Sequence, residues 1–190
     1  MNKKLKDLRK EQIKNAALSV AVAKGYENSR MDDIVEKSQL SKGAIYWYYK
    51  SKKDVYLSLV DYWFVRYSSG VLDRVPRQES ASTQLITLFD YFIDQFDNNP
   101  ASFKILVEFW RMSGLDPDFN SKLQKINSQY IEYITEIIKT GVDSGEFKKV
   151  DPRITALSIL INIEGINWFT LFNKSGVEAV SYTHLTLTTK

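Results

Sequence analysis

The chain has no cysteine, and its one histidine, His184, lies close to the C-terminal end of 190 residues. The lack of cysteine excludes a disulfide framework and a thiol nucleophile. With no histidine in the body of the chain, neither a Cys/His zinc site nor a histidine general base is expected. No catalytic residues, metal or cofactor are therefore expected, and the chain reads as a non-enzyme. The opening Met-Asn-Lys-Lys-Leu-Lys-Asp lacks the apolar core of a signal peptide, so a cytoplasmic location is the expectation. Residues 154–172 approach the length of a membrane span. Asn162, Glu164 and Asn167 would be costly in lipid, however. A buried helix, and no membrane partner, is expected there.

At 44% hydrophobic and 26% charged residues, the composition is that of a globular protein with a real core. The formal net charge of +3 hides a division along the chain. Residues 1–53 carry 13 Lys and Arg against 6 Asp and Glu, a net of +7, and residues 54–190 carry 13 against 17, a net of −4. One end of the molecule is thus suited to an anionic polymer, and the other is left for a different task.

Hydrophobic periodicity predicts helices throughout, an all-α fold. Leu5, Leu8, Ile13, Ala16, Ala17 and Val20 mark a first helix over about 3–24, ended by Gly25. Serines then start three helices in a row. Ser29, Ser41 and Ser51 each precede a helix-compatible segment, over about 30–37, 42–48 and 52–72, and a serine hydroxyl there accepts an unpaired first-turn N–H. Asp32 and Asp54, three residues after Ser29 and Ser51, reinforce two of these starts. Further helices are expected over about 80–97 and from Pro100 to Gly114. Two long ones then start at Asp116-Pro117 and Asp151-Pro152, where proline has no N–H to leave unpaired, and reach about 144 and 174.

Within the basic end, Gln39-Leu40-Ser41 forms the short turn of a helix-turn-helix, and Lys42, Gly43 and Ala44 start a second helix with little bulk. Lys42 is placed to donate to guanine O6 or N7, and Ala44 to touch a thymine methyl. Tyr46 and Tyr48 are placed to donate to phosphate, with Trp47 between them. Lys52 adds a cation to the phosphate-suited N–H groups at the start of the next helix, and Ser29 and Arg30 are placed to meet a phosphate at the start of the preceding one. The expected DNA-binding set is Ser29, Arg30, Ser41, Lys42, Gly43, Ala44, Tyr46, Trp47, Tyr48 and Lys52.

Residues 9–57 resemble the N-terminal domain of the TetR/AcrR family of bacterial transcriptional regulators. The matching residues are Ala16, Ala17, Gly25-Tyr26, Ser29, Asp33-Ile34, Leu40-Ser41-Lys42-Gly43, Tyr46, Tyr48-Tyr49, Lys50-Ser51-Lys52 and Val55. Trp47, Tyr49 and Met31 depart only slightly from the pattern. The resemblance implies a three-helix helix-turn-helix domain over 1–51. It further implies a helical ligand-binding and dimerisation domain over 52–180, with 52–72 as connector helix. An aromatic-rich C-terminal half suits an apolar or cationic small-molecule effector. Its expected lining is Phe89, Phe92, Phe103, Glu108, Trp110, Tyr130, Glu164 and Trp168, with the carboxylates of Glu108 and Glu164 setting specificity because each is costly to bury without a partner. Core packing is the competing reading for each aromatic side chain.

The function implied is that of a homodimeric, ligand-responsive repressor released from a double-stranded DNA operator by a small molecule. The alternative is a DNA-bound structural or assembly factor whose helical domain recruits a protein. Residues 181–190, Ser-Tyr-Thr-His-Leu-Thr-Leu-Thr-Thr-Lys, lose helical periodicity and read either as a non-native tail or as an ordinary frayed terminus. If the tail is non-native, it cuts short a ninth helix starting near Val177 and weakens the dimer.

Overall fold

The computed structural model describes residues 3–75, 79–98 and 100–172, with side chains at all of these except 3, 67–70, 72, 73, 96, 97, 100–103, 166, 167 and 169–172. The ninth helix expected from Val177 and the tail at 181–190 lie outside the described residues. Eight α-helices and no strand occur among the described residues. They are α1 Lys3–Asn28, α2 Met31–Ser38, α3 Lys42–Tyr48, α4 Lys52–Arg74, α5 Ala81–Asn98, α6 Pro100–Leu115, α7 Pro117–Asp143 and α8 Pro152–Phe172. Among the described residues no helix is long and apolar enough to cross a membrane.

The helix starts follow side-chain capping. The Ser41 hydroxyl accepts the Ala44 N–H at 3.2 Å and that of Ser51 accepts the Asp54 N–H at 3.1 Å. Asp116 and Asp151 cap the proline-initiated helices by accepting the N–H groups of Asp118 and Ile154 at 2.9 and 2.8 Å. The start of α2 differs from the sequence expectation. Its N-cap is Arg30, whose N–H donates to the Asp33 carboxylate at 2.7 Å, so Asp33 rather than Asp32 closes the turn. Ser29 lies one residue earlier and is buried. Gly25 breaks α1 where the sequence places its end, and a short helical segment follows. With φ 70 and ψ 175 it occupies a region open essentially to glycine alone, and the chain stays helical to Asn28.

The chain divides into two compact units, Met1–Tyr67 with Lys104–Leu123 and Ser68–Phe103 with Gln124–Lys190. Helices α4, α6 and α7 contribute residues to both. In the first unit α1 packs on α2, and α2 on α3. Its interior holds Ile13, Ala17, Ile34, Ile45, Val55, Tyr56, Leu59, Val60, Ile105 and Phe109, none of them accessible to solvent. Full burial of each large aliphatic or aromatic side chain contributes about 1.5–3 kcal/mol, so this small cluster has enough apolar area to hold the turn in place. Ion pairs join its elements at the surface: Lys53 reaches both Asp116 and Asp118 at 2.7 Å, and Lys122 reaches Asp61 at 2.6 Å.

In the second unit α5 packs on α8. Leu85, Leu88, Phe89 and Phe92 of α5, Ile134, Ile137 and Ile138 of α7, and Ala156, Leu160 and Ile163 of α8 are buried. Glu146 holds the start of α5, accepting the N–H groups of Ala81 and Ser82 at 2.8 Å and the Ser82 hydroxyl. At Gly141 the Phe147 ring and Ala81 occupy the space a Cβ would need, so only glycine permits this close approach.

Candidate nucleic-acid interface

The turn between α2 and α3 is set by its own residues. Gln39 takes a left-handed conformation, φ 57 and ψ 25, and donates its N–H to Glu36 O. Ser38 is buried; its hydroxyl donates to Val35 O at 3.1 Å and accepts the Leu40 N–H, while its carbonyl accepts Gln12 Nε2 at 2.7 Å. The end of α2 is thereby tied to α1 before the chain enters α3. Ile45 and Tyr49, one helical turn apart, bury the inner side of α3.

The opposite side of α3 faces solvent. Lys42, Gly43 and Trp47 are exposed, Tyr46 with them, and Ala44 and Tyr48 are half-buried at the margin. Trp47 is 59% exposed, a high value for so large an apolar side chain, and its ring meets that of Tyr48 edge-on with centroids 4.6 Å apart. Beyond its chain neighbours and the backbone of its own helix, no atom lies within 4 Å of where a Gly43 Cβ would stand, so a partner surface has open access to the start of the helix. Lys42 pairs with Asp32 at 2.7 Å, and the hydrogen bond to that carboxylate raises the lysine pKa. Both partners are exposed, and an exposed pair of this kind is readily exchanged for phosphate or a base edge.

The ten residues expected to touch DNA do not all share this surface. Arg30 is exposed at the start of α2. Ser29 is turned inward, 2% exposed, donating to Tyr26 O at 2.8 Å and accepting from the Tyr56 hydroxyl at 2.7 Å. Burial pushes the Tyr56 phenol up to about 12, against the opposing effect of its bond to Ser29. Lys52 also points inward. Its ammonium donates to Tyr26 O and Ser29 O at 2.8 and 2.9 Å and lies 4.2 Å from the centre of the Tyr26 ring. Both residues hold the exit of α1 to the start of α4. A lysine beside a serine-capped helix start reads from sequence as a phosphate contact, and the carbonyls that claim it lie more than twenty residues away.

The residues expected to line an effector cavity divide between the two units. In the second unit Phe89 and Phe92 are buried, Tyr130 meets Phe92 edge-on at 6.3 Å, and Glu164 and Trp168 are half-buried on α8. Desolvation raises the pKa of Glu164, on the same side of α8 as Leu160 and Trp168. Glu108 and Trp110 belong to the first unit. The Glu108 carboxylate accepts the Tyr26 N–H at 3.1 Å and Arg111 at 3.2 Å. Trp110 is half-buried, and its carbonyl accepts the Ser113 hydroxyl. The side chain of Phe103 lies outside the described residues.

A short helix bearing an exposed polar and aromatic face, set by a left-handed turn on a buried three-helix cluster, defines a helix-turn-helix protein of the all-α regulator class. A family model described as "Bacterial regulatory proteins, tetR family" matches residues 13–59, and one described as "Tetracyclin repressor-like, C-terminal domain" matches 78–171. The chain belongs to the tetR family of bacterial transcriptional regulators. It is 28% identical over 170 residues, 86% of this chain and 80% of the relative, to the uncharacterized HTH-type transcriptional regulator YfiR of Bacillus subtilis. A TetR transcription regulator from Haloarcula marismortui has the same fold, with a TM-score of 0.83, 20% identity and 92% of each chain covered. The transcriptional regulator FadR from Bacillus subtilis, solved in complex with stearoyl-CoA, matches with a TM-score of 0.78 at 21% identity over 90% of this chain and 91% of that one.

Proposed function

We propose that this regulator is a homodimeric repressor that occupies its operator through the exposed face of α3 and is released by a small apolar or cationic effector bound in its second unit. The observation that carries the DNA half is the solvent-facing stripe of Lys42, Gly43, Tyr46 and Trp47 on a helix fixed by Ile45, Tyr49 and the Ser41 cap. Arg30, Ala44 and Tyr48 flank that stripe. Ser29 and Lys52 act beneath it, fixing the cluster rather than touching phosphate.

For the effector, the aromatic set of Phe89, Phe92, Tyr130 and Trp168 supports an apolar occupant, and the stearoyl-CoA held by the FadR structure supports an acyl chain. Glu164, desolvated on the inner side of α8, would favour a positive charge on that occupant. Dimerisation is assigned to α8, where Ile154, Leu157 and Ile161 expose 66%, 44% and 59% of their surfaces along one helical side. Two copies then place their α3 helices on half-sites about one helical turn, roughly 34 Å, apart. The effector acts by preferring the dimer spacing that does not fit the operator.

Selection of bound duplexes from a random pool, followed by thermal-shift measurements with stearoyl-CoA and with a lipophilic cation, tests this reading. A selected sequence with two related half-sites, and a ligand that both raises the melting temperature and releases the duplex, is expected. A non-repeated site, or a stabilising ligand that leaves DNA affinity unchanged, would contradict it.

A further inference from the structure

Residues 1–10 hold five basic side chains against one acidic one. Lys6, Lys10 and Lys14 follow one another at intervals of four in α1 and so lie along one helical side. The two ends of this row are held by aromatic rings of different helices. Lys6 Nζ lies 5.6 Å from the centre of the Trp47 ring on α3, and Lys14 Nζ lies 4.4 Å from that of Tyr62 on α4. Lys14 is committed to that inner contact, and burial is the main cause of its lowered pKa. Lys6 is exposed, next to Trp47, which is itself 59% exposed.

Acidic neighbours on α1 do not neutralise the row completely. Glu11 accepts from the Tyr62 hydroxyl at 3.3 Å, a contact toward α4, and Asp7 is exposed. Arg9 is occupied by Gln12 at 2.9 Å. An ammonium resting near a ring keeps N–H donors for an anion, and the ring limits the side-chain freedom that would otherwise be lost on binding. Lys6 and Lys10 are separated by about 6 Å along the helix axis, against an axial rise of about 3.4 Å per phosphate on one DNA strand. The pair thus offers two cations within the reach of one DNA strand.

We propose that Lys6 and Lys10 of α1 form a second DNA-backbone contact, gripping phosphates that flank the base pairs met by α3, with Trp47 holding Lys6 at the boundary between the two contacts. This rests on the reading of α3 as the DNA-facing helix. It differs from that reading in predicting a contribution to affinity and salt dependence that is blind to sequence.

The test is fluorescence anisotropy of the full chain on a synthetic mixed-sequence duplex of about 30 base pairs, titrated over roughly 50 to 200 mM salt. The double variant Lys6→Ala/Lys10→Ala should reduce the slope of log affinity against log salt by about 2 and weaken low-salt binding roughly tenfold or more. Lys6→Arg/Lys10→Arg should retain the slope, and circular dichroism should show the same helix content in all forms. An alanine variant that keeps the parent slope would overturn the proposal and leave the α3 reading intact. A parent chain with no salt-dependent DNA binding would overturn both.

Discussion

Glu108 accepts the backbone N–H of Tyr26 at 3.1 Å, beside Gly25, where an added Cβ would stand 3.1 Å from Glu108 Oε1. The carboxylate of α6 therefore secures the one break in α1, next to the residues that lead into the reading cluster. Replacing Glu108 with alanine leaves the Tyr26 N–H without this partner and should lower stability by about 1–3 kcal/mol. Gly25→Ala should cost a similar amount, about 1–3 kcal/mol, because φ 70 with ψ 175 strains any residue with a Cβ. Denaturant unfolding measures both, and unchanged midpoints would remove Glu108 from this structural role.

Lys52 and Tyr56 are expected to behave as parts of the fold. Lys52→Met removes the donor to Tyr26 O and Ser29 O, and Tyr56→Phe removes the donor to Ser29 Oγ at 2.7 Å. Each lost hydrogen bond corresponds to about 1 kcal/mol, visible as an earlier melting transition without DNA present. A Lys52→Met protein with the parent melting temperature and a salt slope reduced by about 1 would instead assign Lys52 to phosphate.

Asp33 sets an acid limb for stability. Its hydrogen bond to Lys24, at 2.6 Å, and then that to the Arg30 N–H lower its pKa from the ordinary carboxylate value. A carboxylate with a lowered folded-state pKa adds stability above its unfolded pKa of about 3.9 and loses it as pH falls through the folded value. Asp33→Asn should therefore lower the melting temperature near neutral pH, with the difference shrinking on acidification below about pH 4. A difference independent of pH would place the effect elsewhere.

The eight helices were readable because their signals are local. Periodic apolar residues, Ser41, Ser51 and the two Asp-Pro pairs fix where helices lie to within a few residues, and the all-α class follows from them. The start of α2 lies one residue beyond the serine that the sequence suggests, because a serine hydroxyl suits an N-cap and a buried hydrogen-bonded site equally well. Tyr56, which claims it, is 27 residues distant. Glu108 reads in sequence as a specificity carboxylate because its cost of burial is visible there; the N–H it accepts, 82 residues away, is not. Residues at helix surfaces, such as Lys42 and Trp47, were better served, since their exposure follows from the position of Ile45 in the same helix.

If the exposed face of α3 reads DNA, its substitutions lower the ratio of affinities for a selected operator duplex and a scrambled one. Lys42→Ala should cut that ratio roughly tenfold or more, as a good contact to a base is worth about 1–3 kcal/mol, while Lys52→Met leaves it unchanged at a temperature where both proteins are folded. A ratio that survives Lys42→Ala would show that this face of α3 does not read the bases.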